Sequence, residues 1–467
     1  MLKIGGQRVP TALLLLLGVD SLVIASGLTL ATFLRFYTHG YGPVTTYLWS
    51  FETFLRFFLV VCVCEISIYF YDLYDFRLIT SLSEVLIRLL QAFGVACVGL
   101  AVCYFLSPDI GLGRGSAALA APLIVGLTFG WRVVWLRHLQ DLGNTEQMLI
   151  LGTGPAGIRL TRDILSRPEL RVHIVGFLDE TGENIGKSLV NPGIIGAVAD
   201  LELIVREKEV TRVVISLAER RGHMPIRQLL HMKFAGVRVE EAHGVLERMT
   251  GRIVLEHLSP SWLILSEGFR KSPLLIWAKR GLDILISSSA LILCLPLFAG
   301  VAIATWLESG SPILFRQERT GLRGRPFNML KFRSMHHDAE REGPQWAASS
   351  DSRITRVGKW IRKYRVDELP QMINVLRGEM SIVGPRPERP HFVAMLEEQI
   401  PFYGLRHSVR PGITGWAQVR YQYGASVEET KTKLEYDLFY IKHLSVLLDL
   451  AVLFETLKVM FSGRGAK

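Results

Sequence analysis

Two adjacent acids stand in the most basic part of this chain. In Arg362-Lys-Tyr-Arg-Val-Asp367-Glu368-Leu-Pro-Gln371, three cationic residues precede Asp367 and Glu368 within five positions. Acids followed by Leu-Pro suit the first turn of a helix, where the peptide dipoles favour negative charge. An acid beside Arg362, Lys363 and Arg365 is expected to be ionised. Cations of this kind can hold a diphosphate while a carboxylate binds Mg2+ or attacks phosphorus. A plain helix terminus is the alternative reading. In Ser381-Ile-Val-Gly-Pro-Arg386-Pro-Glu-Arg-Pro390, prolines on both sides of Arg386 stiffen the backbone and present a planar fork suited to phosphate or carboxylate. The alternative there is a surface turn. Val409-Arg-Pro-Gly-Ile-Thr-Gly-Trp416 is a second rigid loop carrying an arginine, and Lys331-Phe-Arg333-Ser-Met335 is a further basic patch. His336 and His337 follow that patch, but adjacent histidines diverge and no third ligand has zinc-site spacing.

A separate constellation is Gly152-x-Gly154-x-x-Gly157. An apolar strand pattern precedes it, a helix pattern follows, and Asp179 closes a second strand about 20 residues on. Glycines in that setting let backbone N–H groups approach a pyrophosphate. The competing reading is a Rossmann-like fold with an empty pocket. No Tyr-x-x-x-Lys pair occurs in the chain, which disfavours a redox role for this unit.

These groups need elements to position them. The chain has 467 residues, 49% apolar and 21% charged, with a net charge of +10. That excludes intrinsic disorder, and the basic balance suits a membrane surface, nucleic acid or phosphorylated substrate. The five cysteines all lie in apolar runs and suggest neither disulfides nor a metal site. Four runs, at about 11–34, 55–72, 86–106 and 116–136, approach the roughly 20 apolar residues that cross a bilayer. Asp20 is the only charge in the first, and Arg56 and Glu65 interrupt the second. Lys3 and Arg8 precede the first run and Arg137 follows the fourth, whereas 36–50 has neither Lys nor Arg. An inside N-terminus and four crossings then return the chain to the cytoplasm near residue 140.

Residues 145–265 alternate strand and helix patterns, with strands near 147–151, 172–178, 210–217 and 237–240. A fifth apolar run covers 282–306, with Pro296 near its middle and basic residues on both flanks. Positive charge on both sides is awkward for a span, and a central proline kinks a helix. A broken, re-entrant helix meets both facts, and a straight span with a tolerated kink is the alternative. Residues 309–378 hold 14 Lys+Arg against 7 Asp+Glu. The apolar pattern of 440–461 fits a helix lying on the membrane or one packed in a core.

Together the fifth apolar run, Lys331-Phe-Arg-Ser-Met335, Asp367-Glu-Leu-Pro-Gln371, Val383-Gly-Pro-Arg-Pro387 and Val409-Arg-Pro-Gly-Ile-Thr-Gly-Trp-Ala-Gln-Val419 resemble the bacterial sugar transferase family. These are the monotopic phosphoglycosyl transferases, and the motifs fall in family order over about 275–465. The N-terminal 270 residues resemble the extension of the large members. The resemblance implies three parts: a four-helix membrane domain (1–140), a Rossmann-like α/β domain (145–265), and a mainly helical catalytic domain with a re-entrant helix (272–467). It implies transfer of hexose-1-phosphate from a UDP-hexose to undecaprenyl phosphate, with release of UMP, at the start of exopolysaccharide, capsule or O-antigen synthesis. Asp367 matches the nucleophile and a Mg2+ ligand, and Glu368 its acidic partner. Arg362 and Arg386 match phosphate-binding positions, with Lys331 and Arg333 in the same basic pocket. The other expected partners are inner-membrane lipid and a second copy of the chain, with no nucleic acid, and the catalytic domain faces the cytoplasm. Where the family often has Ser-Pro at the helix break, this chain has Leu295-Pro296. A membrane-anchored nucleotide-sugar oxidoreductase and a nucleotide-sensing scaffold are the competing readings.

Overall fold

The computed structural model describes residues 2–4, 7–9, 11–39, 44–74, 82–141, 146–166, 172–217, 224–255, 266–336, 353–421 and 426–462. His337 of the dismissed histidine pair lies outside the described residues. The chain divides into two compact units, with Arg8–Glu240 in one and Glu241–Lys467 in the other.

In the first unit, α1 (Thr11–His39), α2 (Phe51–Phe70), α3 (Leu82–Leu106) and α4 (Arg114–Asp141) are the expected apolar helices. Each contains a stretch long and apolar enough to cross a membrane, the shortest being the 20 residues of α2. At about 1.5 Å per residue that stretch reaches roughly 30 Å, the thickness of a hydrocarbon core. This is a membrane protein. Its lone early charge has a partner: Arg132 Nη2 of α4 meets Asp20 Oδ2 of α1 at 2.6 Å, and Arg132 Nη1 donates to the Leu73 carbonyl. Both side chains are buried. Pairing removes most of the cost of an isolated charge among apolar helices.

The same unit holds a five-stranded sheet. Its strands are β1 (Glu146–Leu151), β2 (Val172–Asp179), β3 (Ile194–Ala197), β4 (Arg212–Ile215) and β5 (Arg238–Glu241). Their order is β3-β2-β1-β4-β5, and the β1–β2, β1–β4 and β2–β3 pairings are parallel. Met148 to Leu151 are wholly buried, so β1 reads as an unbroken apolar run, as a strand covered on both faces must. The sequence reading has four of these strands. It lacks β3, whose four residues are too short to display a period. Helices α5 (Pro155–Leu165), α6 (Leu201–Glu207) and α7 (Ile226–Phe234) connect the strands.

The second unit begins with α8 (Ala242–Thr250). Residues 242–255, read from sequence as part of the α/β segment, pack in this unit: Ile253 and Leu255 join its core and Leu255 N–H donates to Glu435. The fifth apolar run is two helices, α9 (Pro273–Leu293) and α10 (Leu295–Ser309), bent by 62° at Cys294. Pro296 lies in the first turn of α10, where its missing N–H costs nothing. Both arms are gripped by one body. On α9, Lys279 bonds the Val383 carbonyl and Asp449, Arg280 bonds the Val375 and Leu376 carbonyls, and Asp283 accepts from Ser381 and Ile382. On α10, Val301 packs with Phe332 and Ile361, and Glu308 accepts two backbone N–H groups, of Arg356 and Val357. The apex between the arms presents Ile292, Leu293 and Leu295, each at least 67% exposed.

A β-hairpin follows, β6 (Leu314–Thr320) antiparallel to β7 (Pro326–Phe332). Then come α11 (Arg356–Lys363), α12 (Gln371–Arg377), β8 (Ser381–Val383), α13 (Pro390–Gln399), β9 (Gly412–Thr414) and α14 (Trp416–Arg420). The last two helices are α15 (Val427–His443) and α16 (Val446–Ser462). The stretch 440–461 is therefore the end of one helix and most of another. Tyr440, Leu448 and Val452 are buried in the core, so one face of the stretch packs as a core helix, while Leu447, Phe454 and Leu457 are exposed.

Candidate active site

The two acids occupy a single turn of 3-10 helix, Val366–Glu368, between α11 and α12. Arg365 enters that turn with φ 54°, a left-handed conformation that non-glycine residues rarely adopt and that clusters at functional sites. The turn separates the acids. Glu368 faces cations: Arg386 Nη2 donates to its Oε1 at 2.7 Å, and Lys331 Nζ from β7 reaches the same oxygen at 3.3 Å. Burial works against ionisation, but Arg386 and Lys331 outweigh it and hold the Glu368 carboxyl far below the usual range. Asp367 is 9% exposed and makes no hydrogen bond or ion pair among the described residues. Burial, and next the charge of Glu368, push its carboxyl up, against the lowering fields of Lys331, Arg362 and Arg386. Both acids thus stand among cations, as expected, but differently: Glu368 is held ionised by direct partners, whereas burial and the neighbouring Glu368 oppose the charge of Asp367.

Arg386 is delivered by two interlocked loops. Gly384 N–H donates to the Thr414 carbonyl and Gly412 N–H to the Pro385 carbonyl, both at 2.9 Å. A Cβ on Gly412 would collide with the Gly384 backbone nitrogen, and one on Gly415 with the Gly384 carbonyl oxygen. Only glycine permits two chains to approach this closely. From beneath, the buried Arg406 donates to the Arg386 carbonyl (2.9 Å), to Asp437 (3.0 Å) and to the Tyr403 hydroxyl. Arg319 of β6 adds a further cation, bonded to the Pro387 carbonyl and to Glu388. Burial, with Arg386 and Arg389 near, lowers its guanidinium to about 10. Sequence reading missed Arg319 and Arg406. Arg319 carried a signal, lying in the basic 309–378 segment, but Arg406 is locally an arginine in a polar turn.

The other candidates make no bond to either acid among the described residues. Arg362 is in the last turn of α11 and acts on Asp367 through its field. Arg333 donates to the Ser309 carbonyl at the end of α10, and its Nη2 is buried without a partner. Pro296 is at the helix break. In the first unit, Gly152, Gly154 and Gly157 lie against Ser216 at the end of β4, where a Cβ on any of them would press into that residue. Gly157 N–H donates to Ser216 Oγ at 2.8 Å, and Pro155 has no N–H, so the α5 terminus has few amides left for a phosphate. Asp179 accepts from Thr181, Gly182 and Asn184 of its own turn. Those bonds overcome its burial and lower its carboxyl.

Among the described residues no group of three or more His, Cys, Asp or Glu could cage a metal. Mg2+ commonly takes one or two carboxylates and completes its shell with substrate phosphates and water. An unpaired, buried Asp367 fits that donor set.

Apolar helices and an α/β unit accompany a buried acid pair among cations in this membrane protein. The bacterial sugar transferase model matches residues 275–463, and a CoA-binding domain model matches 70–232. The UDP-N-acetylgalactosamine-undecaprenyl-phosphate N-acetylgalactosaminephosphotransferase of Aeromonas hydrophila is 44% identical over 241 residues, 52% of this chain and 56% of that protein. The undecaprenyl-phosphate glucose phosphotransferase of Komagataeibacter xylinus is 34% identical over 333 residues, 69% of this chain and 60% of its own. The UDP-glucose:undecaprenyl-phosphate glucose-1-phosphate transferase of Xanthomonas campestris pv. campestris is 32% identical over 329 residues, 68% of this chain and 67% of its own. The chain belongs to the bacterial sugar transferase family.

Proposed function

We propose that this chain transfers hexose-1-phosphate from a UDP-hexose to undecaprenyl phosphate, through a phospho-sugar intermediate on Asp367. A carboxylate oxygen of Asp367 attacks the sugar-bearing phosphorus. The bond from that phosphorus to the bridging oxygen breaks, and UMP leaves with the electron pair. An oxygen of the lipid phosphate then attacks the same phosphorus and frees the carboxylate. The observation that carries the reading is the division of labour between neighbours: Glu368 is bound to Lys331 and Arg386, and Asp367 is buried with no bonded partner among the described residues. A carboxylate destabilised by burial is a better nucleophile than one neutralised by an ion pair. Arg386, Lys331 and Arg362 offset the donor's charge, which otherwise repels an anionic nucleophile. Asp367 would hold Mg2+, which when bound supplies charge neutralisation at the diphosphate.

The grip of one body on both α9 and α10 supports a re-entrant helix that dips into the inner leaflet of the cytoplasmic membrane and returns. A site beside it can take its donor from the cytosol and its acceptor from the lipid. The pathway served is the first step of an exopolysaccharide, capsule or O-antigen, and the working form is a dimer. Asp367→Asn is expected to lower UMP release from UDP-glucose or UDP-galactose by about 10³-fold or more, and turnover near wild type would end the assignment. Excess chelator is expected to abolish UMP release and added Mg2+ to restore it.

A further inference from the structure

A second cationic site lies on the opposite face of the β6–β7 hairpin. Arg316 pairs in register with Leu330, and Phe315 with Lys331. Successive side chains of a strand point to opposite faces, so Lys331 faces Glu368 while Arg316 and Leu330 face away. On that far side is a cleft of about 590 Å³ lined by Arg316, Arg323, Arg325 and Arg377. None of the four makes an ion pair among the described residues. Glu379 also lines the cleft, but its Oε2 is bonded to Asn374 Nδ2 at 2.6 Å. Pro326 and Leu330 of the same face add apolar lining.

Four guanidinium groups against the one carboxylate of Glu379 leave the concavity with a net positive charge, which favours entry of an anion. The turn that presents two of them is itself strained: Arg323 has φ 56° between Gly321 and Gly324. A non-glycine residue rarely adopts that conformation, and such strain collects at ligand-binding turns. Guanidinium forks match phosphate oxygens in geometry and are more weakly hydrated than ammonium groups. The cleft is also of the size that small-molecule sites have.

We propose that this cleft is a binding site, separate from the Asp367 centre, for a phosphate group carried on an apolar body. Two sources share that chemistry, the headgroup region of an anionic phospholipid and a soluble nucleotide. Hydrogen–deuterium exchange on the full chain in nanodiscs separates them and needs no transferase turnover, so its result does not depend on the proposed reaction. One arm compares phosphatidylcholine discs with discs that also contain phosphatidylglycerol. The other adds ADP to phosphatidylcholine discs. The expected result is slowed exchange at 316–328 and 374–379 in at least one arm, which names the source. Arg323→Glu with Arg325→Glu, both in an exposed turn, is expected to remove the protection and weaken binding at least about tenfold. Exchange at 360–370 should not change in that variant, which shows that it folds. No protection in either arm, or protection that survives the charge reversal, overturns the proposal.

Discussion

Asp367 and Glu368 differ by one position and stand in opposite surroundings, and two outcomes follow at the scale of single residues. If ionised Asp367 is the attacking group, turnover falls as pH drops through its raised pKa. Glu368 is the second cause of that rise, after burial. Glu368→Gln is therefore expected to shift the acid limb of the rate profile to lower pH, besides slowing the reaction; an unmoved limb would separate the two acids. The same shift sets stability. Below the ordinary carboxyl value of 3.8 both folded and unfolded forms are protonated, and Asp367 contributes nothing. Above its raised folded value the buried charge destabilises the fold. Asp367→Asn should thus raise the melting temperature at pH 7, with the gain fading as pH approaches that ordinary value. Stability gained where activity is lost is the usual signature of a functional group held at a cost.

At the scale of elements, the two proline-bearing loops act as one piece because β8 and β9 meet glycine against glycine. Arg406 supports that piece from below, bound to Arg386, Asp437 and Tyr403. Burial pushes the Asp437 carboxyl up to about 6 even with Arg406 beside it. Arg406→Met leaves that charge unpaired and is expected to cost about 3–5 kcal/mol in denaturant unfolding. Arg406→Met with Asp437→Leu should recover most of the stability, since removing both ions removes the desolvation cost. Activity should stay low in the double variant, because the Arg386 carbonyl is still unsupported. Recovery of both would make Arg406 purely structural. Arg406 could not be picked out from sequence: its partners lie 3, 20 and 31 positions away, and no local pattern joins them.

At the scale of the whole molecule, the proposed topology rests on the bent α9–α10 pair. A span would place the basic ends of the two arms in different compartments. Here Lys279 and Arg280 on one arm and Glu308 on the other are bound by the same body. Single cysteines at Ser272 and Gly310, in a chain without its native cysteines, should both react with an impermeant maleimide from the cytoplasmic side. Labelling from opposite sides would make the pair a crossing helix and undo the proposed topology.

Run length and residue order were enough to read four apolar helices, a glycine-turn α/β unit, a helix broken at Pro296 and the acid pair in its basic setting. These are local properties, carried by hydrophobic stretches and by motifs a few residues long. Tertiary structure alone decided which acid is neutralised, what supports Arg386, and that Ser216 takes the Gly157 N–H in the first turn of α5. Each of those depends on a partner distant in the chain: Lys331 lies 37 positions from Glu368, and Ser216 lies 59 from Gly157. A charge's state is set by whatever is buried beside it, and folding chooses that neighbour.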